Sequence, residues 1–338
     1  MPKRLLIIAG VALMLLTLSC AKRSTEYQEE SWLTLEREIP VVGNALDIHV
    51  DDNTIYVAQD QGGISIIQRN NYSSKWYTTL TAEDGSQAPL GRIKRISAIP
   101  EYNRLFLNEV SATDRIVILN TADPDTLVYM FDIIGGTSGI KDLDATAMAE
   151  PEGMFTMNIG YCYADGFKYD KYDGSILSTP AYSVAPPATA MGFDLTDDLI
   201  LVTAGQRGVF IYDRASQQYK SELALPGEAQ KVVVAGNLAL IPSRQAGLCI
   251  VSFADPVHPA LLSTFDTSGY ATSVDFSGDK VAVSSGSGGV YLLDISDPAN
   301  PTLLEHLTSC GYSNVVKFAD DKLVVGTRDQ GVLIYKLR

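Results

Sequence analysis

Chemistry-bearing residues are scarce here: three histidines, four cysteines and two tryptophans in 338 residues. So few imidazoles and thiols leave little for a structural zinc site, and no Cys-x-x-Cys or Cys/His spacing supplies one. His49, His258 and His306 lie far apart in sequence, outside any Ser/His/Asp or metal-ligand arrangement. The Gly-x-Ser-x-Gly elbow, the His-Glu-x-x-His helix, the P-loop and the dinucleotide fingerprint are all missing. Asp-rich stretches such as Asp51-Asp52-Asn53 and Asp320-Asp321 lack the alternating spacing and distal Glu of a calcium loop. The expectation is therefore no catalytic residues, no metal and no cofactor. Positive charge is also short, with 26 Lys+Arg against 40 Asp+Glu and a net −14. Such a surface repels phosphates, which excludes nucleic acid as a partner and leaves solubility as the plain meaning of the acidity. Helical periodicity is almost absent from residue 32 onward.

What fills the chain instead is repetition. Residues 247–261 (Gly-Leu-Cys-Ile-Val-Ser-Phe-Ala-Asp-Pro-Val-His-Pro-Ala-Leu) share a skeleton with residues 289–303 (Gly-Val-Tyr-Leu-Leu-Asp-Ile-Ser-Asp-Pro-Ala-Asn-Pro-Thr-Leu), 42 residues later. A turn that usually ends in Gly precedes an apolar run at Gly63, Arg115, Gly166, Gly208, Gly247, Gly289 and Gly331, which makes seven units. Short turns such as Asp51–Thr54, Thr196–Asp198, Ala235–Asn237, Ser277–Lys280 and Ala319–Lys322 join further apolar runs in the manner of hairpins. Four strands in about 42 residues describe a propeller blade. The seventh unit stops after its third strand, at Tyr335–Arg338, and Leu33–Gly43 aligns with Thr302–Gly311 as the missing fourth. The fold expected is all-β: a seven-bladed β-propeller of four-stranded blades over 32–338, closed by an N-terminal strand completing the last blade.

The Gly-apolar run-Asp-x-Ser-Asp-Pro-x-x-Pro block of Gly289–Pro301 resembles the LVIVD repeat of bacterial surface and periplasmic proteins. The 247–261 unit keeps Asp255-Pro256 and Pro259 with Ser252 in place of Asp, and the second unit keeps Asp123-Pro124. The resemblance implies a β-propeller and brings no defined activity. At the N-terminus, Lys3 and Arg4 precede an apolar run from Leu5 to Leu18, too short to span a bilayer and suited to a signal peptide. Thr17-Leu18-Ser19-Cys20 resembles a bacterial lipobox, with Thr17 where that pattern usually has Leu. It implies a signal peptide over 1–19, lipidation at Cys20 and a tether over 20–31. Ala21 after the cysteine leans towards the outer membrane, so the expected location is the bacterial cell envelope, lipid-anchored. Without Lys3 and Arg4 the net charge moves from −14 to −16. Cys162, Cys249 and Cys310 remain; no obligatory disulfide is expected, and a Cys249–Cys310 pair stays open.

Two sets of residues differ between repeats and are the candidates for function. Turns between second and third strands carry Asp60, Arg115, Arg207, Arg244, Arg328 and Asp329, and blade connections on the same face add Tyr270 and Tyr312. Arg and Tyr are enriched at binding hot spots, which makes this rim the candidate binding face. Longer loops at 81–92 and 132–142 skew recognition towards the early blades. Alignment on the repeat also puts His49, Asp194, Asp275 and Lys317 at one level of the channel, while His258 and His306 are read as solvent-facing. The function expected is a non-enzymatic envelope scaffold that binds a protein or glycan. The alternative is a propeller-type hydrolase or lyase with a metal or carboxylate site at the channel mouth, to be preferred if His49, Asp194 and Asp275 converge within ligand distance.

Overall fold

The computed structural model describes residues 31–82, 84–110, 114–123, 125–134, 139–149, 155–172 and 179–338. The expected signal peptide over 1–19, Cys20 and residues 20–30 of the expected tether lie outside the described residues.

Seven sheets arrange around a central channel. The simplest blade, the sixth, runs from an inner strand Ser273–Ser277 through Lys280–Ser284 and Val290–Asp294 to an outer strand Thr302–Leu307. Blades 4 and 5 repeat it, with inner strands Gly192–Leu195 and Val233–Ala235. The third strands Val209–Asp213, Leu248–Ser252 and Val290–Asp294 are buried on both faces over their first four residues, which explains why they read as continuous apolar runs rather than alternating ones. Blade 7 is completed by Leu33–Ile39, paired antiparallel with Val332–Leu337 from Leu33↔Leu337 to Ile39↔Val332. Seven apolar clusters join neighbouring blades, including one that packs Ile39, Ile48 and Val57 against Val315, Val324 and Ile334. An open stack of seven blades has six interfaces; the seventh shows that the ring is closed.

The repeated glycine has a steric cause. At Gly247 (φ +76) and Gly289 (φ +79) a Cβ would lie 2.1 Å from the Phe265 carbonyl oxygen and 2.0 Å from that of Leu307. The third strand starts pressed against the end of the outer strand, and only glycine fits that approach in the left-handed region. Blade 2 departs from the pattern. Arg115 takes the glycine position as part of the strand Arg115–Asn120. The segment expected as a long loop at 81–92 instead holds the second half of a hairpin, Thr79–Thr81 with Gln87–Pro89. Thr81 pairs in parallel with Val128, so blade 2 has six strands. The other expected loop, 132–142, begins inside the outer strand Val128–Ile134 and ends where Asp142–Ala149 starts; residues 135–138 lie outside the described residues.

Cys162, Cys249 and Cys310 are buried free thiols. His258 is exposed as expected, with Nδ1 2.9 Å from Asp255 Oδ2. His306 is not: its ring stacks on Tyr291 at 3.9 Å between centroids, and its Nε2 lies 2.7 Å from the Gly288 carbonyl oxygen. An outer-strand side chain here folds back over the blade face because the neighbouring aromatic offers a flat partner.

Candidate functional site

The inner strands are the exposed edges of their sheets, so their outward N–H groups need partners from elsewhere. Side chains on the preceding blade supply them. Asp47 Oδ2 accepts from the Ile96 N–H at 3.2 Å, Ser97 Oγ from Ala145 at 3.0 Å, Asp194 Oδ2 from Val234 at 2.7 Å, and Asp275 Oδ2 from Phe318 at 2.7 Å. Each bond runs from one blade to the next around the bore. The polar level read from the repeat is thus partly a set of stitches between blades.

A cavity of about 200 Å³ occupies the channel and brings together all four predicted residues, His49, Asp194, Asp275 and Lys317. It also gathers Asp47, Asp142, Asp144 and Lys231, which the repeat did not single out. The Lys231 ammonium stands 3.4 Å from Asp47 Oδ1 and 3.2 Å from Asp142 Oδ1, tying blade 5 to blades 1 and 3 across the bore. Burial pushes the Lys231 ammonium towards neutrality, but Asp142 and Asp47 outweigh it and hold its pKa above the ordinary value. Burial likewise opposes ionisation of Asp47, yet Lys231, Arg95 and Lys317 keep its carboxyl below the usual range. Asp194 goes the other way. Burial drives its pKa up to about 6 despite hydrogen bonds from the Val234 and Leu195 N–H groups, with Asp144 and Asp142 adding repulsion. His49 is lowered, mainly by burial and further by Lys317, against the pull of Asp144, Asp51 and Asp47. Among the described residues no three His, Cys, Asp or Glu side chains converge to hold a metal ion.

The rim is more heavily paired than a row of free hot spots. Asp60 meets Arg92 at 2.8 Å. Arg115 binds Glu109 at 2.5 Å and Asp132 at 2.8 Å within its own blade. Arg207 reaches Glu222 at 3.2 Å and Arg244 reaches Glu228 at 3.0 Å. Arg328 differs: its guanidinium lies 3.7 Å from the centroid of the Tyr312 ring, an aromatic stack rather than an ion pair. Arg244 repeats the theme more loosely, 5.6 Å from the ring of Tyr270, a residue that is 55% exposed. Asp329 is exposed beside Arg328. Arg244 holds φ +42 and Asp60 φ +54, where the matching turn residues of blades 4 and 6 are Gly205 and Gly286. Each of these turn residues bridges to the entry of the next blade, which confirms that turns and connections share one face.

A family model for the LVIVD repeat matches residues 226–267 and 268–308, the spans of blades 5 and 6. The chain carries LVIVD repeats on a seven-bladed propeller. No curated protein matches it. Among solved structures it is similar to the WD40 β-propeller domain of Doa1, with a TM-score of 0.69 and 10% identity over 91% of this chain and 98% of that one. It is similar also to the β-propeller domain of Myceliophteria thermophila Cps50 (Swd1), with a TM-score of 0.69 and 11% identity over 90% and 100%. A computationally designed protein, Ika8, superposes with a TM-score of 0.65 and 12% identity over 89% and 98%. At these identities the likeness is one of fold.

The matched repeats show what the Asp-Pro-x-x-Pro turn does in this LVIVD propeller. Ser221 Oγ donates to the Pro256 carbonyl oxygen at 2.7 Å, and Ser263 Oγ to that of Pro298 at 2.7 Å. An outer strand thereby clasps the turn of the following blade. Where the turn gives way to the N-terminal strand, Glu305 Oε2 accepts from the Leu33 N–H at 2.7 Å.

Proposed function

We propose that this LVIVD-repeat propeller is a non-enzymatic cell-envelope lipoprotein, anchored through Cys20. It binds a protein or glycan partner on the face that carries the turns between second and third strands. The observation that supports this reading most is Arg328 stacked on Tyr312 at 3.7 Å beside the channel mouth. Such a pair presents a cation and a large flat surface with little rotamer freedom left to lose, which is the makeup of a hot spot. Tyr270 under Arg244 extends the surface to the neighbouring blade. The anchor rests on the Lys3/Arg4 region, the apolar run and Ser19-Cys20. An acylated Cys20 with further chains on its amino group would hold the protein stably, where a single chain would not.

Affinity capture from envelope preparations tests the face, with wild type beside the triple variant Arg244→Ala/Tyr270→Ala/Arg328→Ala. A partner held by wild type and lost from a folded variant is the expected result; equal recovery of every partner removes the face from consideration. Mass analysis of the mature N-terminus tests the anchor, with acylated Cys20 expected and free Ala21 or intact Met1 contradicting it.

A further inference from the structure

A second cavity, of about 210 Å³, opens above the first at the rim end of the channel. The two share Asp47 and Lys231 but differ in sign. In the lower one Asp47, Asp142, Asp144, Asp194 and Asp275 stand against Lys231, Lys317 and His49. In the upper one Arg95, Lys141 and Lys231 face the single carboxylate of Asp47. A cationic pocket over an anionic bore, in a chain of net charge −14, needs an explanation.

We propose that the upper cavity binds a compact oxyanion, the phosphate or carboxylate group of a small molecule or sugar. The donors are available. Among the described residues no carboxylate lies within ion-pair distance of Arg95 or Lys141. Arg95 spends Nε on the Lys141 carbonyl oxygen at 2.7 Å and Nη1 on that of Lys94 at 3.1 Å, which orients the guanidinium without neutralising it. Lys231 touches its carboxylates at 3.4 and 3.2 Å, longer than a charge-assisted bond of about 2.8 Å, and has a third proton to give. Tyr312 and Thr272 also line the space, with Thr272 Oγ1 donating to the Asn314 carbonyl oxygen at 3.3 Å. Size decides the class: drug-sized ligands occupy roughly 300–1,000 Å³, so a cavity of about 210 Å³ takes one anionic group and the few atoms that carry it. The carboxylates below repel an anion and stop it at the mouth. This goes beyond the rim reading, since a small anion can bind here whether or not Arg328 and Tyr312 hold a macromolecule.

Calorimetric titration of the full-length chain with inorganic phosphate and with glucuronate, at matched ionic strength, tests it. Glucose serves as the neutral control. Saturable binding of either oxyanion and none of glucose is expected, and which one binds separates the two sources. Lys141→Gln should weaken binding about tenfold with an unchanged thermal midpoint in the absence of anion, and Lys141→Arg should restore it. Arg95→Gln gives a second, independent loss. No saturable heat with either oxyanion, or wild-type binding by both Lys141→Gln and Arg95→Gln, overturns the proposal. Rim capture would remain a separate result.

Discussion

Asp194 serves the fold and still carries an electrostatic burden. Its carboxylate takes the Val234 N–H at 2.7 Å, yet burial lifts its pKa from 3.8 to about 6. A carboxyl raised in the folded state favours folding while protonated. That contribution is fully present below about pH 4 and is lost as pH rises through about 6. Two pKa units correspond to on the order of 3 kcal/mol. Asp194→Asn keeps an oxygen for the Val234 N–H and removes the charge. Relative to the variant, wild type should lose up to about 3 kcal/mol between pH 4 and 7, read as urea unfolding free energy at both pH values. Parallel pH dependences for the two proteins would refute the assignment. Asp194 could be found in sequence because blades 4 to 7 keep the period and set inner-strand positions level. Asp142 and Asp144 could not, since the early units carry insertions that break the count. Lys231 escaped because it precedes the short inner strand Val233–Ala235 and belongs to the connection.

Among the elements, the Asp-Pro-x-x-Pro turn was easy to see as a motif, but its purpose was hidden. Asp255 and Asp297 shape the turn by accepting from the Val257 and Ala299 N–H groups at 3.0 and 3.1 Å, which is local and readable. The serine that clasps the turn lies on the preceding blade, 35 residues earlier, and no local pattern reveals it. Ser221→Ala and Ser263→Ala should each cost about 1 kcal/mol of stability, the usual net value of a neutral hydrogen bond. Because the two clasps sit at different blade interfaces, the double variant should lose about 2 kcal/mol in urea unfolding. A loss confined to one site, or a strongly non-additive pair, would mean the clasps are not equivalent. The hairpin of Thr79–Thr81 and Gln87–Pro89 was illegible for another reason. It belongs to no repeat, has three-residue strands and ends in proline, so it reads as loop.

At the scale of the whole molecule, stability is a sum over neighbouring blades, and the ring exists only if its last interface forms. That interface depends on one short strand. Leu33–Ile39 buries only its end residues, Leu33 at 4% and Ile39 at 5% exposure, and leaves the five between exposed. Two buried aliphatic side chains contribute about 2 kcal/mol each, and the backbone ladder to Val332–Leu337 adds to that. The total, on the order of 5 kcal/mol, rivals the net stability of an ordinary domain. Deleting residues 1–40 should therefore do more than trim an end. It exposes the edge of Val332–Leu337, removes the acceptor-side contact of Glu305 with Leu33, and opens the Ile39 side of the cluster between blades 7 and 1. Deleting residues 1–31 removes none of these. Thermal unfolding should show the shorter deletion with one cooperative transition and the longer with a midpoint lowered by more than about 10 °C, or with aggregation in place of a transition. Equal midpoints would show that blades 1 and 7 hold together without their shared strand, and that closure by the N-terminus is a convenience of the fold rather than its condition.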